Sequence, residues 1–314
     1  MKVCFTVRSL GVQNLIIAVN KMDALDWNIQ RFIEIKNQLL LFLTKNVGFN
    51  KSKIWFVPVS GLSGENLSTQ KFPGKDCLLD LIDKIPPQKR KIDGRSIITL
   101  LDVSASSETK ISCLARVESG SLQQNEIFSL QPTFENKLFV QISAVYQDEG
   151  IDEKNSFYAV AGQTVGVDIT PVFGKFETSN LFAAGMMLSK KDEDLTSSRK
   201  FRANLLILGG DAQTYDNVAV PPITRGFQVN FHIGTNEVPG KISKIVGQID
   251  KNTGELLPNK VRCCSKGDAA LVELSLQRNI SVDFEENINT RFTIRIQGIT
   301  IGSGIIKSEI QKKT

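Results

Sequence analysis

Histidine is almost missing from this chain, with His232 the only one in 314 residues. Five cysteines, Cys4, Cys77, Cys113, Cys263 and Cys264, include no Cys-x-x-Cys pair. These shortages exclude a zinc site of ordinary spacing, so no metal site is expected. No Ser, Cys or metal cluster accompanies His232, so it is read as structural and no catalytic residue is expected. An odd, scattered set of thiols fits a reducing cytoplasm, and vicinal Cys263-Cys264 is read as two free thiols. No apolar run of ~20 residues occurs, so no membrane span is expected. Met1–Arg8 leads into an apolar run with no small-residue cleavage site, which argues against a secretory signal. The string Gly-x-x-x-x-Gly-Lys-Ser/Thr, which cradles nucleotide phosphates, is also absent.

What remains is ordinary globular composition: 41% hydrophobic and 23% charged, with a net charge of +5. The length suggests roughly two or three domains of ~100–150 residues. The mild positive charge is compatible with RNA contact but far below that of a dedicated nucleic-acid binder, and DNA is not an expected partner.

Up to about Ile85 the pattern alternates strand and helix. Leu15–Val19 is a short continuous apolar run, as in a strand buried on both faces. Ile29, Phe32, Ile33, Leu40, Leu43 and Val47 then recur at helical spacing, interrupted by Lys36, with Asp26 as candidate start cap and Gly48 as terminator. Ile54–Val59 reads as a second buried strand. A short helix around Cys77–Asp83 has Asp76 as candidate cap, and Pro86-Pro87 opens a basic linker, Gln88–Lys91.

From Ser96 the period changes to two. Ile111, Cys113, Ala115 and Val117 share a face, as do Leu138, Val140, Ile142 and Ala144, and Val165, Val167 and Ile169. Such spacing predicts a small barrel. Ser189–Lys200 is polar and reads as a linker or exposed loop. Alternation resumes with Phe227, Val229, Phe231 and Ile233, then Val272, Leu274 and Leu276, then Phe292, Ile294 and Ile296. The predicted fold is multidomain: a partial α/β unit of P-loop type followed by two β-barrels. Lys89–Lys91 with Arg95, Lys190-Lys191 and Arg199-Lys200-Arg202 are basic groups read as solvated loops, with RNA contact the sharper alternative.

Asn20-Lys21-Met22-Asp23 directly follows the first strand. Guanine presents a ring N–H and an exocyclic amine on one edge, and a single carboxylate accepts both; adenine lacks that pair of donors. Asp23 is the candidate acceptor. Asn20 is expected to tie the loop to its neighbours or reach the base's other edge, and Lys21 to lay its stem along base and ribose. Ser60-Gly61-Leu62 ends the second strand, where backbone N–H groups are expected to meet the guanine carbonyl. Asn-Lys-x-Asp alone arises by chance in a few per cent of chains this long, at roughly one residue in twenty per type. Two motifs at the ends of neighbouring buried strands, where α/β sheets hold their ligands, are a stronger signal.

Ser9-Leu10-Gly11-Val12, Asn20–Asp23 and Ser60–Leu67 together resemble translational GTPases of the elongation factor 1-alpha superfamily. Lys251–Glu255, Ser265–Leu274, Arg291–Arg295 and Thr300–Gly304 resemble its Hbs-type branch, ribosome-rescue GTPases that deliver Pelota to stalled ribosomes. The resemblance runs from Arg8 to Glu309. It implies a GTP-binding-domain remnant over 1–87, barrel II over 95–189 and barrel III over 200–310. It implies GTP or GDP as ligand at an incomplete site and a Pelota-type partner for barrel III. It also implies a ribosomal small-subunit and ribosomal RNA contact for barrel II. The P-loop, switch regions, Mg²⁺ site and catalytic histidine of the family have no counterpart here, so hydrolysis is not carried over and nucleotide affinity is expected to be weak. An apolar edge at Leu15–Val19 is expected to limit solubility. Asn125-Glu126 replaces a Gly-Asp turn, which asparagine tolerates, and the Gly209–Pro222 loop is longer than in relatives. A non-enzymatic adaptor binding ribosomes or RNA-decay machinery, and a fragment of a release-factor-associated or elongation factor 1-alpha-type GTPase, are the alternative readings.

Overall fold

The computed structural model describes residues 4, 7–8, 11–72, 74–132, 138–148, 153–176, 182–191, 193–208, 221–250, 253–258 and 261–310. The long loop expected at Gly209–Pro222 falls outside them except for its last two residues, and Ser9-Leu10 and Lys251-Asn252 fall outside them entirely. The chain forms two compact units, Met1–Lys89 and Arg90–Thr314.

In the first unit, β1 (Leu15–Val19) pairs in parallel with β2 (Ile54–Pro58), Leu15 opposite Ile54 and Val19 opposite Pro58. Parallel neighbours need a crossover, which α1 (Ile29–Leu41) provides before a π-helical extension, Phe42–Val47. Gly48 ends that run at φ 82°, a conformation glycine adopts without strain. Leu15 and Ile17 pack with Leu43, Val47, Phe49 and Ile54, while Ile16 packs with Val57, Val59 and Leu81. Burial of β1 is less than its apolar sequence predicts. Its residues are half-buried and Ala18 is exposed, because among the described residues β2 is its only partner strand.

Both expected helix caps move by a residue or two. Asp26 adopts a left-handed φ of 46° and closes the preceding turn by donating its N–H to Asp23 O at 3.1 Å. Asn28 caps α1 instead, its Oδ1 accepting from Arg31 N–H at 3.1 Å. At α2 (Leu78–Asp83), Asp76 turns to Lys84 Nζ at 2.5 Å, and Cys77 becomes the cap. The Asp80 carboxylate accepts the Cys77 N–H at 3.0 Å.

The second unit is all antiparallel barrel. Its first barrel closes β3 (Ile97–Ser106), β4 (Ile111–Ser119), β6 (Ile127–Gln131), β7 (Leu138–Asp148), β10 (Thr164–Pro171) and β11 (Met187–Lys190) in the order β10-β4-β3-β11-β6-β7 and back to β10. Short strands β5 (Ser121–Gln123), β8 (Glu153–Ser156) and β9 (Tyr158–Val160) attach outside that ring. Two-residue β13 (Ile223–Thr224) and β16 (Cys263–Cys264) pair with each other. The second barrel closes β12 (Thr196–Ile207), β17 (Ala269–Val282), β15 (Asn236–Ile249), β14 (Phe227–Ile233), β18 (Arg291–Ile296) and β19 (Ile299–Glu309) in that order. Closure leaves neither ring an open edge.

Alternation correctly places Ile111, Cys113, Ala115, Val117, Val165, Val167 and Ile169 inside, all nearly free of solvent. On β7 it fails after Ile142. The register slips opposite Asp168 and Ile169, Ser143 is the extra residue, and Val145 rather than Ala144 turns inward. A bulge of this kind reverses the faces of everything beyond it. Asn125 does adopt the left-handed turn its type tolerates, at φ 69°. The polar Ser189–Lys200 stretch is not a loop throughout: Ser189 is fully buried in β11, Leu195 is buried, and Thr196–Lys200 begins β12.

Several of the basic groups read as solvated are spent inside this unit. Arg95 Nη1 meets Asp283 Oδ2 at 2.8 Å and Glu285 Oε2 at 3.1 Å, and its Nη2 donates to Asp194 O at 3.2 Å. Lys91 pairs with Glu286, Lys190 with Glu126 and Arg202 with Glu273. His232 lies on β14 with Nε2 3.6 Å from Glu237. All five cysteines are free. No helix among the described residues is long and apolar enough to cross a membrane.

Candidate base-recognition site

The two strands of the first unit end side by side. Val59 N–H donates to Val19 O at 2.9 Å, and Met22 N–H to Val59 O at 3.2 Å. The residues that follow each strand are therefore delivered to one place, beyond the carboxyl ends of parallel strands.

Asn20 bridges them. Its Oδ1 accepts from Gly61 N–H at 2.8 Å and from Lys21 N–H at 2.7 Å. A Cβ on residue 61 would lie 3.3 Å from Asn20 Nδ2, so a small residue is favoured where the two loops touch. Ser60 is fully buried; its N–H donates to Glu65 O at 3.1 Å and its Oγ accepts from Ser63 N–H at 3.2 Å. The N–H groups of Ser60 and Gly61 thus hold the loop in shape. Lys21 is exposed and left-handed at φ 61°, and the Leu62 side chain is 93% exposed.

Asp23 opens a single 3₁₀ turn, Asp23–Leu25, anchored by buried Met22. Its Oδ1 is closed off from solvent and has no hydrogen-bond partner among the described residues. An unsatisfied buried acceptor costs about 1–3 kcal/mol, and more when charged. A base cannot reach Oδ1 where water cannot, so the carboxylate must turn outward to accept from a ligand's N–H groups, and the unmet hydrogen bond favours that turn. The six residues picked from sequence are therefore gathered at one corner, with Asn20 tying the loops and Asp23 beside them.

Sequence reasoning missed the support beneath them. Asn66 is 2% exposed and left-handed at φ 59°; its Nδ2 donates to Pro58 O at 2.7 Å and its Oδ1 accepts from Lys71 N–H at 3.0 Å. The only advance signal was its place within Ser60–Leu67. Among the described residues no three His, Cys, Asp or Glu side chains cluster, and the phosphate-cradling string is absent from the sequence.

Comparison with known proteins agrees with this layout. Residues 1–108 match the family model of the elongation factor Tu GTP binding domain, and residues 214–307 that of the GTP-eEF1A C-terminal domain-like family. Protein HBS1 of Drosophila melanogaster is 30% identical over 312 residues, covering 96% of this chain and 43% of the relative. Elongation factor 1-alpha of Pyrobaculum aerophilum is 27% identical over 309 residues, covering 96% of this chain and 64% of the relative. The chain thus spans between two fifths and two thirds of the length of these relatives. Among solved structures, the GTPase-like domain of S. cerevisiae Ski7 bound to GTP superposes with a TM-score of 0.74 at 16% identity, over 95% of this chain and 65% of that one. Sup35 complexed with GDP gives 0.59 at 21% identity, over 98% and 72%. At those identities the structural likeness speaks for the fold.

Proposed function

This chain belongs to the Hbs-type branch of the elongation factor 1-alpha superfamily of translational GTPases, and from that premise we propose that Asn20, Lys21, Asp23, Ser60, Gly61 and Leu62 form the corner that recognises the guanine base of GTP or GDP, with Ser60 and Gly61 shaping it. The observation that supports it is the Asn20–Gly61 bridge, which joins both loops at one corner beside an Asp23 carboxylate whose Oδ1 has no hydrogen-bond partner among the described residues. Asp23 accepts the ring N–H and exocyclic amine together, and the Lys21 stem covers base and ribose. Residues 1–87, 95–189 and 200–310 serve as base-recognition unit, barrel II and barrel III.

At the level of the whole protein the reading is a cytoplasmic factor that works with a Pelota-type partner on stalled ribosomes. Barrel II faces the small subunit and its RNA, and barrel III contributes to holding Pelota. Hydrolysis by these 314 residues alone is not part of the reading, because no phosphate-positioning apparatus is encoded in them.

The base site is tested by NMR titration of the labelled chain with guanosine, adenosine and xanthosine 5′-monophosphates. Weak, Mg²⁺-independent binding that favours the guanine nucleotide is expected. Asp23→Asn replaces an acceptor by a donor and should shift preference toward xanthine, whose 2-oxo group accepts. Equal binding of guanine and adenine nucleotides by the unaltered chain refutes the base site. Co-sedimentation with ribosomes in the presence of a Pelota-type protein tests the larger role, and no enrichment over ribosomes alone refutes it.

A further inference from the structure

The turn after Asp23 is held in an uncommon way. Asp26 and Trp27 adopt left-handed backbone in succession, at φ 46° and 54°. A bulky residue there is strained and persists only when its surroundings over-determine it. Trp27 N–H donates to Met22 O at 2.9 Å, fixing its backbone to the first loop. Its ring lies under Lys71, whose Nζ is 4.3 Å from the ring centroid, and meets Phe72 edge-on at 5.7 Å. Lys71 also forms an ion pair with Glu65. Glu65 belongs to the second loop, where its carbonyl accepts the Ser60 N–H. Lys71 is itself fixed through its backbone to the buried side chain of Asn66.

A continuous path therefore runs from the Asp23 turn through the Trp27 indole and the Lys71 ammonium to the Glu65 carboxylate and the Ser60–Leu62 loop. The Glu65 carboxyl is held below its usual range. The Lys71 hydrogen bond is the largest cause; burial opposes it, and Ser63 and the Trp27 indole N–H add to it. The Asn20–Gly61 bridge fixes the loops at the mouth of the strands; this second tie fixes them on the far side of Asp23.

We infer that Trp27, Lys71 and Glu65 are positioning residues that set the distance between the two base-recognition loops and so set selectivity for guanine. The inference rests on the proposed base site. Asp23 is useful only if its acceptor lies in the plane of a base that the second loop also borders. Main-chain bonds within Met22–Asn28 close the turn on itself but do not tie it to the second loop. The aromatic–cation–carboxylate stack supplies that tie.

The test uses the full chain, with guanosine and adenosine 5′-monophosphates as probes, followed by NMR. The chain has two tryptophans, Trp27 and Trp55, so two indole N–H signals report the clamp and the β2 strand separately. Glu65→Gln and Lys71→Met should each reduce the preference for the guanine nucleotide by roughly threefold to fivefold, the range a half-exposed ion pair contributes. The Trp55 signal should stay in place, showing an intact fold. Lys71→Arg, which keeps a cation over the Trp27 ring and facing Glu65, should hold the preference to within about twofold, which a merely disrupted loop would not do. The Trp27 signal should shift on adding the guanine nucleotide and not the adenine one. If the unaltered chain discriminates and both single variants discriminate equally well, the clamp is refuted while the base site stands. If the unaltered chain does not discriminate, the base site falls and the clamp with it.

Discussion

Replacing Asp168 should destabilise the first barrel without touching the first unit. Asp168 sits on β10 with 4% of its surface exposed. Its carboxylate accepts from Ser112 Oγ at 2.6 Å, Tyr146 Oη at 2.7 Å and Lys110 Nζ at 2.7 Å, linking β10 to both of its neighbours, β4 and β7, and to the turn before β4. In Asp168→Asn, the amide oxygen can take the Oδ2 place and keep Tyr146 and Lys110 as donors, with the Ser112 hydroxyl turning to accept from the amide N–H, but the negative charge facing the half-exposed Lys110 ammonium is gone. The loss is then close to one charge-assisted bond, about 1–2 kcal/mol. Asp168→Ala removes all three bonds and opens a small void, costing about 3–4 kcal/mol. For a unit of this size these translate to roughly 2–8 °C and 6–16 °C in Tm.

Both tryptophans lie in the first unit, whereas Tyr146 and Tyr158 lie in the barrels. Tryptophan fluorescence and tyrosine near-UV signal therefore report separate transitions, and only the second should move. The effect should also depend on pH. Burial pushes the Asp168 carboxyl up, but hydrogen bonds from Lys110, Ser112 and Tyr146 outweigh it and hold the group below the usual carboxylate range. A depressed native value means that the stabilisation is present above the unfolded value near 4 and is lost as pH falls through the native one. The gap between native chain and Asp168→Asn should be constant from pH 8 to about 5 and shrink below pH 4. Equal Tm values at pH 7, or a gap that widens in acid, would refute the reasoning.

Arg95→Ala should destabilise the barrel unit by about 2–4 kcal/mol with little salt dependence, measured by urea unfolding. It strips a carboxylate, Asp283, that is 2% exposed, while the Glu286 N–H remains on it at 2.6 Å. Arg95→Lys should recover only part of this, because one ammonium cannot span Asp283, Glu285 and the Asp194 carbonyl together; full recovery would refute the forked geometry. Thiol labelling near pH 8, read by mass spectrometry, should modify exposed Cys263 well before Cys264 or Cys113. Burial pushes Cys264 up to about 11, helped by Asp268 and Cys263, and burial pushes Cys113 up to about 12, helped by Asp168, so neither supplies thiolate at that pH. Labelling of Cys113 as fast as Cys263 would contradict the closed barrel interior.

The sequence by itself determined what is local. Period-two alternation put Ile111, Cys113, Ala115 and Val117 inside one barrel, and Val272, Leu274 and Leu276 inside the other, because side chains on a strand alternate whatever the neighbours are. Asparagine at position 125 tolerates the left-handed turn found there because its short polar side chain can hydrogen-bond locally. Asn20–Asp23 could be placed just past a strand end because apolar run and motif adjoin in the chain. Tertiary structure decided whatever depends on partners far away in sequence. The bulge at Ser143 arises from pairing β7 with β10, and it turned Val145 inward against the pattern. Asp26 and Asp76 gave up their caps to Asn28 and Cys77 because a left-handed turn and Lys84 claimed them. Arg95, read as a solvated linker charge, became an ion-pair hub because Asp283 and Glu285 fold back nearly 190 residues later in the chain. The Asp23 oxygen that has no partner among the described residues belongs to this second class as well. A motif can name the carboxylate, but only packed neighbours can close water away from it and leave it waiting for a donor.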